Sequence, residues 1–164
     1  MKHVRHCLAL LPVLVLLAPA ITLQAQTVYR HPELGFRFEA SEGWTKVAHP
    51  EDRMIYHLQA PGDRLDVMLW YTETEQEAGP YLKKMADMKG YQALTDPRRE
   101  ELRRGEATVL QAVAVTDAGD LRVILAAIRV GEGLYIAQIW CPLERYEEER
   151  EEMESILESV QVGS

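Results

Sequence analysis

From residue 26 onward, apolar residues alternate with polar ones at a period of two. Twice the spacing switches to three and four, which predicts a mostly β chain with two helices. Val28 to Arg30 and Gly35 to Glu39 read as a short hairpin around His31-Pro32-Glu33-Leu34, and Trp44 to Val47 begins another short strand. Met54 to Gln59 alternates and stops at Ala60-Pro61-Gly62-Asp63, where proline fixes φ and glycine tolerates a positive one. Leu65 to Tyr71 is the partner strand. The first helix is predicted over Glu77 to Lys89. Pro80 sits in its first turn, Ala78, Tyr81, Leu82, Met85 and Met88 or Lys89 form its apolar stripe, and Gly90 stops it. Three longer strands follow, Ala107 to Thr116, Leu121 to Val130 and Leu134 to Trp140, joined by turns short enough for antiparallel pairing. Val123 to Ile128 is apolar at nearly every position. Such a strand is covered on both faces and belongs in the middle of a sheet, with helices or long loops on either side. The last helix runs from Leu143 to Val160, with a stripe of Leu143, Tyr146, Met153, Ile156, Leu157 and Val160. Its other face holds eight glutamates and two arginines, the pattern of a solvated face rather than of an acidic docking surface.

The first 25 residues do not belong to that pattern. Lys2 and Arg5 precede an apolar run from Leu8 to Ala18 and then small residues, the order of a secretory signal peptide. Cleavage after Ala25 or after Ala20 fits the small residues there. An uncleaved anchor is disfavoured by Pro12, Pro19, Thr22, Gln24 and Gln26, since a spanning helix needs about 20 mostly apolar residues. Cys7 precedes the apolar run, where a lipidated cysteine would follow it. The organisation expected is a signal peptide over residues 1–25 and a single domain over 26–164, exported to the periplasm or secreted.

Charge narrows the partners. The 164 residues carry a net charge of −8. The first 25 hold two cations and no acid, so the remaining 139 carry −10. That balance argues against nucleic acid and anionic membrane surfaces. Beyond residue 25 the only cysteine is Cys141, which excludes an internal disulfide there. It reads either as a reactive or bridging thiol or, preferably, as a small buried hydrophobe at a strand end before Pro142.

Catalytic patterns are missing. Ser41, Ser155, Ser159 and Ser164 are the serines, and none lies in a Gly-x-Ser-x-Gly elbow. Of His31, His49 and His57, no two have helical ligand spacing. His57 alternates within its strand and could meet His49 across a sheet, with Glu51 and Asp52 completing a weak metal site, but isolated histidines are the commoner case. Gly131-Glu132-Gly133 lies between two strands and lacks the rest of a dinucleotide fingerprint. Arg98-Arg99 and Arg103-Arg104, interleaved with Glu100, Glu101 and Glu106, read as a balanced surface turn or short helix rather than as an anion contact. Trp44, Trp70, Tyr71 and Trp140 are ligand-groove or core residues, with Trp70 and Tyr71 on opposite faces of one strand. A hydrolase using Ser41 or Cys141 with His49 or His57 is the weakest reading. No catalytic, cofactor-binding, metal or partner-binding residue is assigned, and no cofactor is expected.

Tyr29, the strand Leu34-Gly35-Phe36-Arg37-Phe38 and the turn Gly43-Trp44 carry a resemblance to the PsbP-like fold family. Ala40-Ser41-Glu42 stands where that family commonly has a proline. The strand pair, helix, three long strands and closing helix follow in the family's order. The resemblance implies an α+β fold, an antiparallel sheet sandwiched by helices. It also implies a non-enzymatic binding or adaptor role, with an envelope or secreted protein as the partner expected. The alternative is a carrier of a small apolar ligand or lipid, motivated by the Met- and Tyr-bearing helix over an apolar sheet.

Overall fold

A computed structural model describes residues 26–49 and 55–163. The predicted leader, Glu51, Asp52 and Ser164 lie outside the described residues. The chain runs β1 (Gln26–Arg30), β2 (Phe36–Ser41), β3 (Thr45–Val47), β4 (Tyr56–Gln59), β5 (Asp66–Glu73), α1 (Ala78–Met88), β6 (Gln92–Ala93), β7 (Arg98–Leu102), β8 (Gly105–Ala114), β9 (Leu121–Val130) and β10 (Gly133–Pro142). A 3₁₀ turn, Leu143–Arg145, then leads into α2 (Tyr146–Ser159) and β11 (Gln161–Val162). The main sheet has the order β3-β4-β5-β10-β9-β8-β6, with β7 beside β6 along the same edge of β8. A second sheet has the order β1-β2-β11. Every pairing among the described strands is antiparallel.

The all-apolar stretch of β9 is central, as its sequence predicts. Val123 to Ala127 are all buried, with β10 on one side and β8 on the other. On one face α1 packs across β8 and β9. Leu82 and Ala86 disappear against Leu110, Ala112, Leu125 and Ile136. On the other face lie α2 and the small sheet. Met153, Ile156, Leu157 and Val160 of α2 and Phe36, Phe38 and Ala40 of β2 share one core with Val109, Ile124, Ile139 and Cys141. The fold is therefore the expected antiparallel sheet between helices, with a three-stranded sheet added beside α2.

Two turns behave as their residues dictate. Gly62 and Asp63 both take positive φ between β4 and β5, where glycine bears no steric cost and aspartate little. At the end of α1, Gly90 has φ +69. Tyr91 N–H donates to Ala86 O and Gly90 N–H to Asp87 O, the two bonds of a Schellman cap.

Three readings of the sequence need correction. The segment Arg98–Leu102 is a strand, not a turn or helix. It forms a hairpin with β8, and its charges are met by Arg98–Glu100, Arg99–Glu106 and Arg103–Glu39 pairs. Met88, placed in the α1 stripe, is 77% exposed. Nor is the acidic face of α2 wholly solvated, because Glu149 and Glu152 turn inward to Arg64.

Candidate functional site

Because α1 packs mainly across β8, β9 and β6 and reaches β10 only around Ile136, the same sheet face has little helix cover over β4, β5 and the Gln138–Trp140 part of β10. Cross-strand register places the side chains. Opposed residues share a face, so Trp70 stands with Ile136, Met68 with Gln138 and His57, and Asp66 with Trp140. Trp70, Trp140, Met68 and His57 are each half-buried there. The Schellman turn sends Tyr91 back over this face, where its hydroxyl accepts a hydrogen bond from Gln138 Nε2 at 3.3 Å. Gln138 is 6% exposed, and its Oε1 has no partner among the described residues. A buried acceptor left open is costly unless something outside donates to it.

A chain of polar groups borders the tryptophans. His57 Nε2 meets Asp66 Oδ1 at 2.7 Å, and His57 Nδ1 meets His49 Nε2 at 3.1 Å. The His57 ring lies 5.2 Å from Trp140. Local pairing produces this convergence. Val47 opposes His57 between β3 and β4, and His49 follows two residues later. Asp66 opens β5, next along the sheet. The structure thus brings His49 and His57 together, as β alternation allowed. Asp66, absent from the sequence reading, is 8% exposed and accepts the ring N–H. His31 takes no part. It is buried under Tyr56, its Nδ1 accepts the N–H groups of Glu33 and Leu34, and burial pushes its pKa down.

The opposite face holds a polar cleft of about 510 Å³ between β2, the β4–β5 turn and α2. Arg64 bonds both Glu149 and Glu152, the latter at 2.7 Å. Ser41 donates its hydroxyl to Glu152 Oε1 at 2.6 Å and accepts from Trp44 Nε1 at 3.3 Å. Burial pushes the Glu152 carboxyl up, but Arg64 and Ser41 together hold it below its ordinary value. Burial likewise works against the Arg64 charge and is outweighed by the two glutamates, which raise its pKa. Each charge is answered by another on the same wall, so this cluster ties α2 to the β4–β5 turn.

Cys141 is fully buried against Met153, with Sγ to Sδ at 3.5 Å. Burial first, and the Glu149 charge second, push its thiol up to about 11. That is the small-hydrophobe reading of its sequence. At pH 8 roughly one thiol in a thousand is ionised, and thiolate is the reactive form. Native protein treated with a maleimide at pH 8 should therefore keep Cys141 unlabelled for hours and label it at once in denaturant. Rapid labelling of the native chain would show an open site.

No family model and no curated protein matches the sequence. Solved structures do match the fold. The solution structure of cyanobacterial PsbP (CyanoP) from Synechocystis sp. PCC 6803 aligns with a TM-score of 0.65 and 8% identity, over 89% of this chain and 97% of that one. The fold is PsbP-like. The Ran-binding protein Mog1p of Saccharomyces cerevisiae shares it at TM-score 0.57 and 9% identity, over 85% and 96% of the two chains. LpqN of Mycobacterium tuberculosis, involved in cell envelope biogenesis, does so at 0.50 and 12%, over 85% and 91%. Within this PsbP-like domain the hydrolase pairing does not assemble. Ser41 and Cys141 lie on the α2 side, engaged by Glu152 and Met153, while His49 and His57 lie on the face that carries Trp140. The carrier motif of a Met- and Tyr-bearing helix is consumed as well, since Tyr81, Leu82 and Met85 pack into the core beneath α1. Of the four aromatics singled out in the sequence, Trp44 is core and Tyr71 packs against Tyr135 with the rings tilted. Trp70 and Trp140 are left on the open face. No helix among the described residues is long and apolar enough to cross a membrane.

Proposed function

We propose that this chain is an exported, non-enzymatic binding domain that docks an envelope or secreted protein on the open half of its main sheet. The observation that carries the reading is that Trp70 and Trp140 both stand half-buried on the half of the sheet face that α1 does not pack across, with Met68 between them in the register. Tryptophan is the residue most enriched among those that dominate protein interfaces, and methionine adapts to varied surfaces. Gln138 Oε1 adds a buried acceptor on that face for a partner N–H. The basic, apolar N-terminus supports export. Protein binding has precedent on this fold in a Ran-binding protein, and an envelope role in a protein of envelope biogenesis.

Capture from envelope extract of the host, with wild type and Trp70→Ala/Trp140→Ala side by side, tests this. A partner held by wild type should bind the double variant at least about 30-fold more weakly, which is about 2 kcal/mol at an interface hot spot. Thermal unfolding of the variant checks that it stays folded. Equal capture by a folded double variant would remove the docking face, and repeated failure to recover a specific partner would count against protein binding altogether. A co-purifying mass of a few hundred daltons in native mass spectrometry would favour the carrier alternative.

A further inference from the structure

We propose that His49 and His57 form a site for a divalent transition-metal ion, with Asp66 as the carboxylate that orients His57. The proposal is independent of the protein-binding reading. Its basis is tautomeric. Asp66 Oδ1, 2.7 Å from His57 Nε2, accepts that ring N–H, which leaves the lone pair on His57 Nδ1. That lone pair faces His49 Nε2 at 3.1 Å. In the ion-free protein His49 fills the gap with its own Nε2–H. If His49 carries its proton on Nδ1 instead, two lone pairs meet, and a cation between them resolves the repulsion. No covalent or redox step is involved. His49 only shifts its proton from one ring nitrogen to the other.

The spacing suits an ion. With metal–nitrogen bonds of about 2.05 Å, two nitrogens 3.1 Å apart subtend about 98° at the metal. That lies closer to the 90° of tetragonal Cu(II) or Ni(II) than to a tetrahedral angle, and two imidazoles bind Cu(II) most tightly of the divalent series. The rings meet almost end-on, with centroids 5.2 Å apart and planes 38° apart, so capture requires each ring to turn by about 40° to aim its nitrogen at the ion. The outer support is already built. Asp66 is 8% exposed, fixed at the start of β5, and a carboxylate–histidine–metal arrangement both sets the tautomer and raises ligand basicity. No cluster of three or more ligating side chains exists among the described residues. Among the described residues the ligands are thus two imidazoles, and an exchangeable ion is expected.

Trp140 supplies the readout, because its ring is 5.2 Å from His57 and bound Cu(II) quenches nearby indole emission. Cu(II) titrated into the protein as purified from its host should quench Trp140 with one ion per site and give an electron paramagnetic resonance spectrum of two imidazole nitrogens. His49→Gln and His57→Gln should each abolish the quenching and lose one equivalent of copper. Asp66→Asn should weaken binding 10- to 100-fold while the two-nitrogen spectrum persists. His31→Gln, whose ring caps a turn, should change nothing. His49→Gln lies beyond the end of β3 and is the variant to rely on should His57→Gln lower thermal stability. Copper that still binds His49→Gln without quenching Trp140 is held elsewhere, and copper bound only in that way overturns the proposal. So does unchanged affinity in Asp66→Asn, or the absence of any quenching in the wild type.

Discussion

Phe38→Ala is expected to destabilise the domain by about 4 kcal/mol, within the range for deleting a buried phenylalanine. Phe38 has no exposed surface. Its ring stacks on Tyr29 at 5.6 Å and meets Trp44 edge-on at 6.1 Å, in the core that β2 shares with α2. The site has little freedom to collapse into the space left behind. β2 is hydrogen-bonded on one side to β1 and on the other to β11, so its backbone cannot move inward without breaking both ladders. For a domain of this size the change lowers Tm by roughly 10–15 °C. Urea unfolding followed by circular dichroism measures it. A loss below about 1 kcal/mol would show that the small sheet is not packed as described.

Arg64→Met should cost about 3 kcal/mol, the figure for removing one partner from a buried ion pair. The Arg64 side chain is 22% exposed, Glu152 22% and Glu149 6%, so solvent can screen little of what is left behind. Arg145, 3.2 Å from Glu149, limits the damage to that carboxylate. Among the described residues Glu152 keeps only Ser41. The pH dependence has a definite sign. The folded protein holds the Glu152 carboxyl below its ordinary 4.5, so its contribution is fully present above that pH and disappears as pH falls through the lower, folded value. The stability gap between wild type and Arg64→Met should therefore be widest near neutrality and narrow on acidification below pH 4.5. A triple variant, Arg64→Met with Glu149→Gln and Glu152→Gln, should recover part of the loss, because the stranded charges are gone. A gap independent of pH would assign the effect to lost packing of the Arg64 stem instead.

The elements legible in the sequence were those whose burial is written in their own residues. β9 is apolar from Val123 to Ile128, and α1 carries both its stripe and its Gly90 stop. What was not legible depends on neighbours remote in the chain. β7, Arg-Arg-Glu-Glu-Leu, has no apolar alternation because it is an edge strand with its charges paired in solvent. β6 and β11 are two residues each, too short for any period, so an edge strand of each sheet has no local signature, although the β1–β2 hairpin does. Glu149 and Glu152 look like their solvated neighbours until Arg64, 85 residues away from the first of them, comes to rest between them. The histidine chain was half visible. Alternation permitted His49 to approach His57, but Asp66 joins them only through the register of β4 with β5 and of β5 with β10.

The small sheet also fixes the order in which the molecule can be completed. β2 lies between the first and last strands, with Arg37 opposite Gln161 and Phe36 opposite Val162. A chain that emerges from the ribosome N-terminus first has Phe36 and Phe38 waiting, uncovered, for α2 and β11, more than 100 residues behind. Such long-range closure is slow, because the loop must be ordered before the contacts that reward it form. The small sheet therefore cannot be completed until the last strand has been made, and that would suit the export proposed above, in which a polypeptide crosses a membrane before it acquires its shape.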